Sequence, residues 1–216
     1  MVKKIIKVLW FNEYSGLKIT YNNVNLVIDP YLVPSSTIGE VGYILISHEH
    51  ADHLDIRLVN DLSTYSPMVL ADIESGSRLK KYIPRERLRT MKPWDVFKDS
   101  KIIVTAYKSV HPAVNPVTYL IEYYDGTRIF YASDSLVAGE HSQIAKLNVD
   151  LIFVPIGIAP GASPKSASEM VHIIQPKIAI PIHGTRFNDF KSLVEAKDPR
   201  VRVQIIPKDI ETVVEV

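Results

Sequence analysis

No cysteine occurs among the 216 residues, an absence that removes disulfides, thiolate metal ligands and thiol nucleophiles together. Any metal must then be held by nitrogen and oxygen. Net charge is also scarce: 25 lysines and arginines stand against 24 aspartates and glutamates, a formal balance of +1. Such a balance gives no global pull toward nucleic acid or anionic membrane. Long apolar runs are missing too, and none approaches the roughly eighteen residues that a membrane span needs. The first ten positions start basic and turn apolar as a signal peptide does, but Lys7, Asn12 and Glu13 interrupt them and no small-residue cleavage pattern follows. A cytoplasmic protein without a membrane partner is expected. With 46% hydrophobic and 23% charged residues, and no linker or repeat, the chain reads as one globular domain spanning 1–216.

What is present in excess is histidine at one place. Three of the seven histidines lie in His48-Glu49-His50-Ala51-Asp52-His53. Imidazole nitrogen and carboxylate oxygen are the ligands that zinc, manganese and iron take, and His48 and His50, two apart in an extended segment, project to one side. Asp52 and His53 can turn toward a second ion. Upstream, 41–46 is an apolar run of the kind that fills a strand buried on both faces. The cluster therefore sits at a strand's C-terminal end, where open α/β sheets place their ligands.

Along the rest of the chain, 4–10, 17–21 and 24–28 read as strands, with a hairpin turn at Tyr21-Asn22-Asn23. Asp29-Pro30 closes the third. Asp29 is either a turn-former or a carboxylate that accepts a hydrogen bond from a ligand histidine and fixes its tautomer, and the residues leave both open. Helices are expected over 55–62 and 75–82, with a strand at 68–70 between them. Residues 85–99 form a basic, irregular stretch that reads as a solvated face because acids are interspersed. Strands follow at 101–107, 117–123, 128–132, 150–155 and 177–182, with Asp125-Gly126 as a hairpin turn. A helix starts near Ser163 or Ser166, where Ser166-Ala167-Ser168-Glu169 has the form of a capping box and Pro164 suits a first turn.

Apolar strands thus run into His48, His111, Asp134 and His183. If these strands share a sheet edge, metal-competent side chains converge from distant parts of the chain. Of the other histidines, His141 after Gly139-Glu140 reads as a polar surface residue, and His172 as a surface or half-buried helix position. Tyr107 suits packing, Lys108 solvent, and Ser163 a helix cap rather than a nucleophile.

The combination of His48-x-His50-x-Asp52-His53, a lone His111, Asp134 in Tyr131-Ala132-Ser133-Asp134-Ser135 and His183 in Ile180-Pro181-Ile182-His183-Gly184 resembles the metallo-β-lactamase superfamily. Within it, 26–30 and 148–157 are similar to small metal-dependent hydrolases related to ascorbate-6-phosphate lactonase. The resemblance implies an α/β fold, a four-layer αββα sandwich. It implies one metal on His48, His50 and His111, and a second on Asp52, His53 and His183 with Asp134 bridging. Ser133 replaces the family's glycine, and Asn12-Glu13-Tyr14-Ser15 replaces its frequent Gly-His-Ser.

Two divalent cations, zinc first with manganese or iron as alternatives, would activate a water that Asp52 orients. The expected reaction is hydrolysis of a small-molecule ester, lactone or amide, one carrying a phosphate included, with Arg186 as the anion-binding candidate. A phosphodiesterase or nuclease on the same ions is the alternative, and no basic patch interleaved with aromatics supports nucleic acid as a partner. A flavodiiron-type redox protein would place a carboxylate at His50 and need a flavin domain. A catalytically silent metal protein would keep a closed coordination shell. Association into a homo-oligomer is left open.

Overall fold

In the computed structural model, which describes residues 3–216, the chain forms two compact units. One runs to Lys92 and takes in Ala113–Pro116 and Ile206–Glu215; the other comprises Pro93–Pro112 and Val117–Ile205. Among the described residues no helix is long and apolar enough to cross a membrane.

The first unit holds strands β1 (Ile5–Trp10), β2 (Leu17–Tyr21), β3 (Val24–Ile28), β4 (Tyr43–Ile46), β5 (Met68–Ala71) and β6 (Leu88–Thr90), with the chain's last strand, β14 (Thr212–Glu215). Its helices are α1 (Ser35–Ile38), α2 (Ile56–Leu62) and α3 (Ile73–Leu79). The sheet order is β14-β1-β2-β3-β4-β5-β6. Pairing is antiparallel as far as β3 and parallel from β3 to β6. Burial follows that change. Strand β1 alternates between exposed and buried positions, whereas all four residues of β4 are buried, as a parallel strand covered on both faces requires. Asp55 and Asp72 cap α2 and α3 by accepting the first free backbone N–H groups.

The second unit holds β7 (Val96–Lys98), β8 (Ile102–Lys108), β9 (Val117–Tyr123), β10 (Arg128–Tyr131), β11 (Leu151–Pro155), β12 (Ile178–Ile182) and β13 (Arg202–Val203), and helices α4 (His141–Ile144), α5 (Pro164–Ile174) and α6 (Phe187–Lys197). Its order, β13-β12-β11-β10-β9-β8-β7, repeats the same plan, antiparallel from β7 to β10 and parallel from there to β13. Pro181 lies inside β12, although a proline cannot donate to a ladder. Ala179, two residues earlier, faces β13 through Gln204 N–H, so Pro181 faces that side as well, and β13 pairs no further than Ala179. No donor is missed there. Helix α5 buries Ala167, Met170, Val171 and Ile174, spaced for one face, against a core that includes Phe130, Ile152 and Phe190.

Four sequence expectations need correction. The capping box of α5 is Ser163 with Ser166, not Ser166 with Glu169; Ser163 Oγ accepts Ser166 N–H and Ser166 Oγ accepts Ser163 N–H. The helix expected over 75–82 begins at Ile73 and ends at Leu79. Residues 85–99 are not wholly irregular, because they include β6 and β7. These are three-residue edge strands with little buried side chain, so no alternating pattern marks them. His141 is not at the surface: it is fully buried, its ring edge-on to Phe130 at 5.7 Å between centroids. Its Nδ1 accepts Ala138 N–H at 3.2 Å, and burial pushes its pKa down to about 4.

Candidate metal centre

Both units present their candidate donors past strand ends, parallel strands for all but His111, which follows the antiparallel strand β8. In the first, β3 ends at Ile28 and β4 at Ile46. Asp29 and Ser47 follow directly, both fully buried. Asp29 Oδ1 accepts Ser47 N–H at 2.7 Å, and Oδ2 accepts the Ser47 hydroxyl at 2.6 Å. Oδ2 also meets His53 Nδ1 at 2.7 Å. A carboxylate only accepts, so His53 carries its proton on Nδ1 and turns Nε2 outward as a lone pair. The Ser47 hydroxyl proton is committed to Asp29, so at 3.0 Å it accepts from His48 Nδ1, which leaves His48 Nε2 as a second lone pair. One buried aspartate thus fixes two imidazoles, one of them through a serine. Of the two roles open for Asp29, the structure shows the hydrogen bond to His53; the backbone also turns there, at a left-handed φ of 46°.

The rings of His48 and His50 stand 4.7 Å apart and those of His48 and His53 4.0 Å apart, so three imidazoles crowd one loop. Asp52 Oδ2 is 3.8 Å from His53 Nε2. Two donors that each reach a common ion at about 2.1 Å stand some 3–4 Å apart, so this pair suits one ion. The residue types also suit it, being nitrogen and oxygen without sulfur. Glu49 between the histidines is nearly buried, and its Oε1 accepts Val114 N–H at 3.0 Å. Arg78 on α3 donates to the Glu49 carbonyl at 3.2 Å. Asp72, past the end of β5, is fully buried, and burial, with the Glu49 charge adding to it, raises its pKa to about 6.

In the second unit His183 follows β12, and Asp134 lies in the turn after β10. Asp134 Oδ1 is 2.7 Å from His183 Nδ1 and Oδ2 is 3.9 Å from His111 Nε2. All three side chains are at most 3% exposed. Val110 N–H donates to Ser135 Oγ at 2.9 Å, which ties the approach to His111 to the turn that holds Asp134. Ser133 and His183 both adopt left-handed φ, 51° and 53°. A glycine needs no compensation in that conformation and a serine does, which is the cost of having Ser133 rather than a glycine there. Gly184 and Gly157 nearly touch: a Cβ on Gly184 would lie 2.9 Å from Gly157 N and 2.8 Å from Ile156 Cγ1.

The structure therefore gathers His48, His50, Asp52, His53 and Asp29 in one unit, and His111, Asp134 and His183 in the other. Arg186 is elsewhere in character, 70% exposed and paired with Asp189 at the start of α6. Asn12 is a buried turn residue whose Oδ1 accepts Tyr14 and Gly16 N–H. Ser47, Glu49, Arg78 and Asp72 were not singled out from the sequence. For Ser47 the one available signal is a hydroxyl at a strand end beside a histidine; for Arg78 there is none.

A family model described as "Beta-lactamase superfamily domain" matches residues 7–183. A metal-dependent hydrolase of Desulforamulus reducens is 31% identical over 200 residues, covering 81% of this chain and 83% of its own. Igni18, a metallo hydrolase from Ignicoccus hospitalis, superposes with a TM-score of 0.84 at 16% identity over 98% of each chain. YhfI from Bacillus subtilis, a metallo-beta-lactamase fold protein, gives 0.77 at 15% identity over 99% of this chain and all of its own. At such identities the two structures speak for the fold, which is mixed α/β with two mixed sheets.

Proposed function

From the premise that this chain belongs to the beta-lactamase superfamily domain family and is a metal-dependent hydrolase of that superfamily, we propose that it hydrolyses a small-molecule ester, lactone or amide with a water activated at a binuclear site. His48, His50 and His111 would hold one ion, and Asp52, His53, Asp134 and His183 a second. Zinc suits this donor set, as do manganese and iron. When bound, such ions lower the pKa of a shared water and polarise the electrophile.

The chain's own residues have separate tasks. Asp29 and Ser47 hold His53 and His48 in the tautomer that offers Nε2, a role that carboxylates and hydroxyls behind ligand histidines commonly fill. Asp134 orients His183 through Nδ1. Asp52, with its side chain 27% exposed, would accept a hydrogen bond from the attacking water and align it. Arg186 would meet an acidic substituent on the substrate by exchanging Asp189 for it.

The observation that carries this reading is the buried Asp29–Ser47–His53 network, which spends a carboxylate and a hydroxyl on aiming imidazoles. The test is elemental analysis of protein purified without added metal, paired with an activity screen over lactones, carboxylic esters, amides and phosphodiesters. His50→Ala is expected to lose metal and hydrolysis while keeping its far-ultraviolet dichroism. Full activity in that variant would refute the ligand set, and cleavage of phosphodiesters alone would refute the substrate class.

A further inference from the structure

A cleft of about 370 Å³ opens in the first unit, lined by Lys80, Ile83, Arg85, Leu88 and Thr90. Its walls are the end of α3, the turn through Pro84 and edge strand β6. The turn is held by Tyr82 and Ile83 N–H, both bonded to Leu79 carbonyl at 2.9 and 3.0 Å, so that helix-end carbonyl is already engaged. The close approach of α3 to β6 needs Gly76, where a Cβ would come within 2.5 Å of Thr90 Cγ2. The floor is apolar: Ile83 belongs to the unit's hydrophobic core and Leu88 packs against it. The rim is cationic.

That rim is part of the strongest charge imbalance in the chain. Residues 78–92 hold seven lysines and arginines against one acid, Glu86. Subtracting them from the totals of 25 and 24 leaves 18 cations and 23 acids, so the rest of the chain carries −5. All seven cations are exposed. Arg78 is paired with Glu74 at 2.9 Å, but neither Lys80 nor Arg85 meets a carboxylate among the described residues. Lys80 and Arg85 are thus retained beside an apolar floor without a carboxylate among the described residues, in a cleft whose volume matches that of small-molecule sites.

We propose that this cleft is a binding site for a small organic phosphate or phosphonate, with the dianion held between Lys80 and Arg85 and an aromatic or short alkyl body on Ile83 and Leu88. A dianion matches two cations that line one cleft, and the guanidinium fork matches its oxygens. Thr90 adds a hydroxyl at the rim. Nucleic acid fits less well, because Tyr82 is the one exposed aromatic within the 78–92 stretch and stacked bases need several such platforms. Its lining shares no residue with the histidine-bearing loops, and the binding does not rest on the reaction proposed for them.

The test is isothermal titration of the full-length protein with phenylphosphonate, whose phosphorus–carbon bond resists hydrolysis, alongside inorganic phosphate and a single-stranded RNA dodecamer. Saturable phenylphosphonate binding is expected, about tenfold tighter than inorganic phosphate because the ring is buried. The double variant Lys80→Gln/Arg85→Gln, altered only at exposed positions, should bind about tenfold or more weakly with an unchanged unfolding temperature. Four results would overturn the proposal: no saturable binding, equal affinity for inorganic phosphate, undiminished affinity in the double variant, or tighter binding of the RNA.

Discussion

Replacing His141 and Asp72, one at a time, by asparagine separates two titrations that overlap in the wild-type protein. His141 in the fold has its pKa near 4 because burial disfavours the imidazolium, against an ordinary 6.5. A folded-state value below the unfolded one means that stability is full above pH 6.5 and is lost as pH falls toward 4. Asp72 goes the other way: burial raises it from 3.8 to about 6, so its contribution is full below 3.8 and is lost as pH rises through 6. At about 1.4 kcal/mol per pH unit, each is worth about 3 kcal/mol across its window, and the two nearly cancel between pH 4 and 6. Asparagine suits both sites: its Oδ1 can take the place of His141 Nδ1 as acceptor for Ala138 N–H, and of Asp72 Oδ1 as acceptor for Glu74 and Ser75 N–H. The cavity left at His141 costs the same at every pH. Urea unfolding from pH 4 to 7.5 then reads the difference between variant and wild type, in which all other titrations cancel. Relative to wild type, His141→Asn should gain about 3 kcal/mol on going from pH 7 to 4, and Asp72→Asn should lose about as much. Profiles that run parallel to wild type would refute the assigned burial of both groups.

Two further perturbations act on the candidate centre itself. Asp29→Ala strands Ser47 N–H and the Ser47 hydroxyl as well as releasing His53, so metal affinity, measured by chelator competition, should fall about 10–100-fold and stability by about 3 kcal/mol; unchanged metal affinity would detach Asp29 from the centre. Gly184→Ala sets a methyl group 2.9 Å from Gly157 N, next to His183, and should cost about 1–3 kcal/mol in thermal unfolding, a loss that Gly157→Ala, 3.2 Å from Gly184 Cα, should share in part.

What could be read from the sequence, and what could not, follows physical lines. Strands β4, β11 and β12 are apolar throughout because they are buried on both faces, so their ends, and the histidines and aspartates beyond them, stand out as soon as the runs are marked. Strands β6 and β7 escape because an edge strand with exposed side chains looks like loop. Helix α6, with only Phe190 and Val194 fully buried, carries too thin an apolar stripe to announce itself. His141 shows a different limit. Its flanking Gly139 and Glu140 suggest solvent, yet the ring is covered by Phe130 from a strand ten residues away, and such a neighbour is supplied by the fold, not by local composition. Arg78 reaches Glu49 across 29 positions, which no local pattern encodes.

Asp29, Ser133 and His183 all hold backbone conformations that side chains other than glycine adopt at a cost, with φ of 46°, 51° and 53°. That expense lies where ions would be gripped, and ligation offsets it only in loaded molecules. Copies that miss their ions keep the strain without the compensation, open more often, and reach cellular proteases sooner. Shortage of metal would then show first as fewer molecules, before it showed as slower ones.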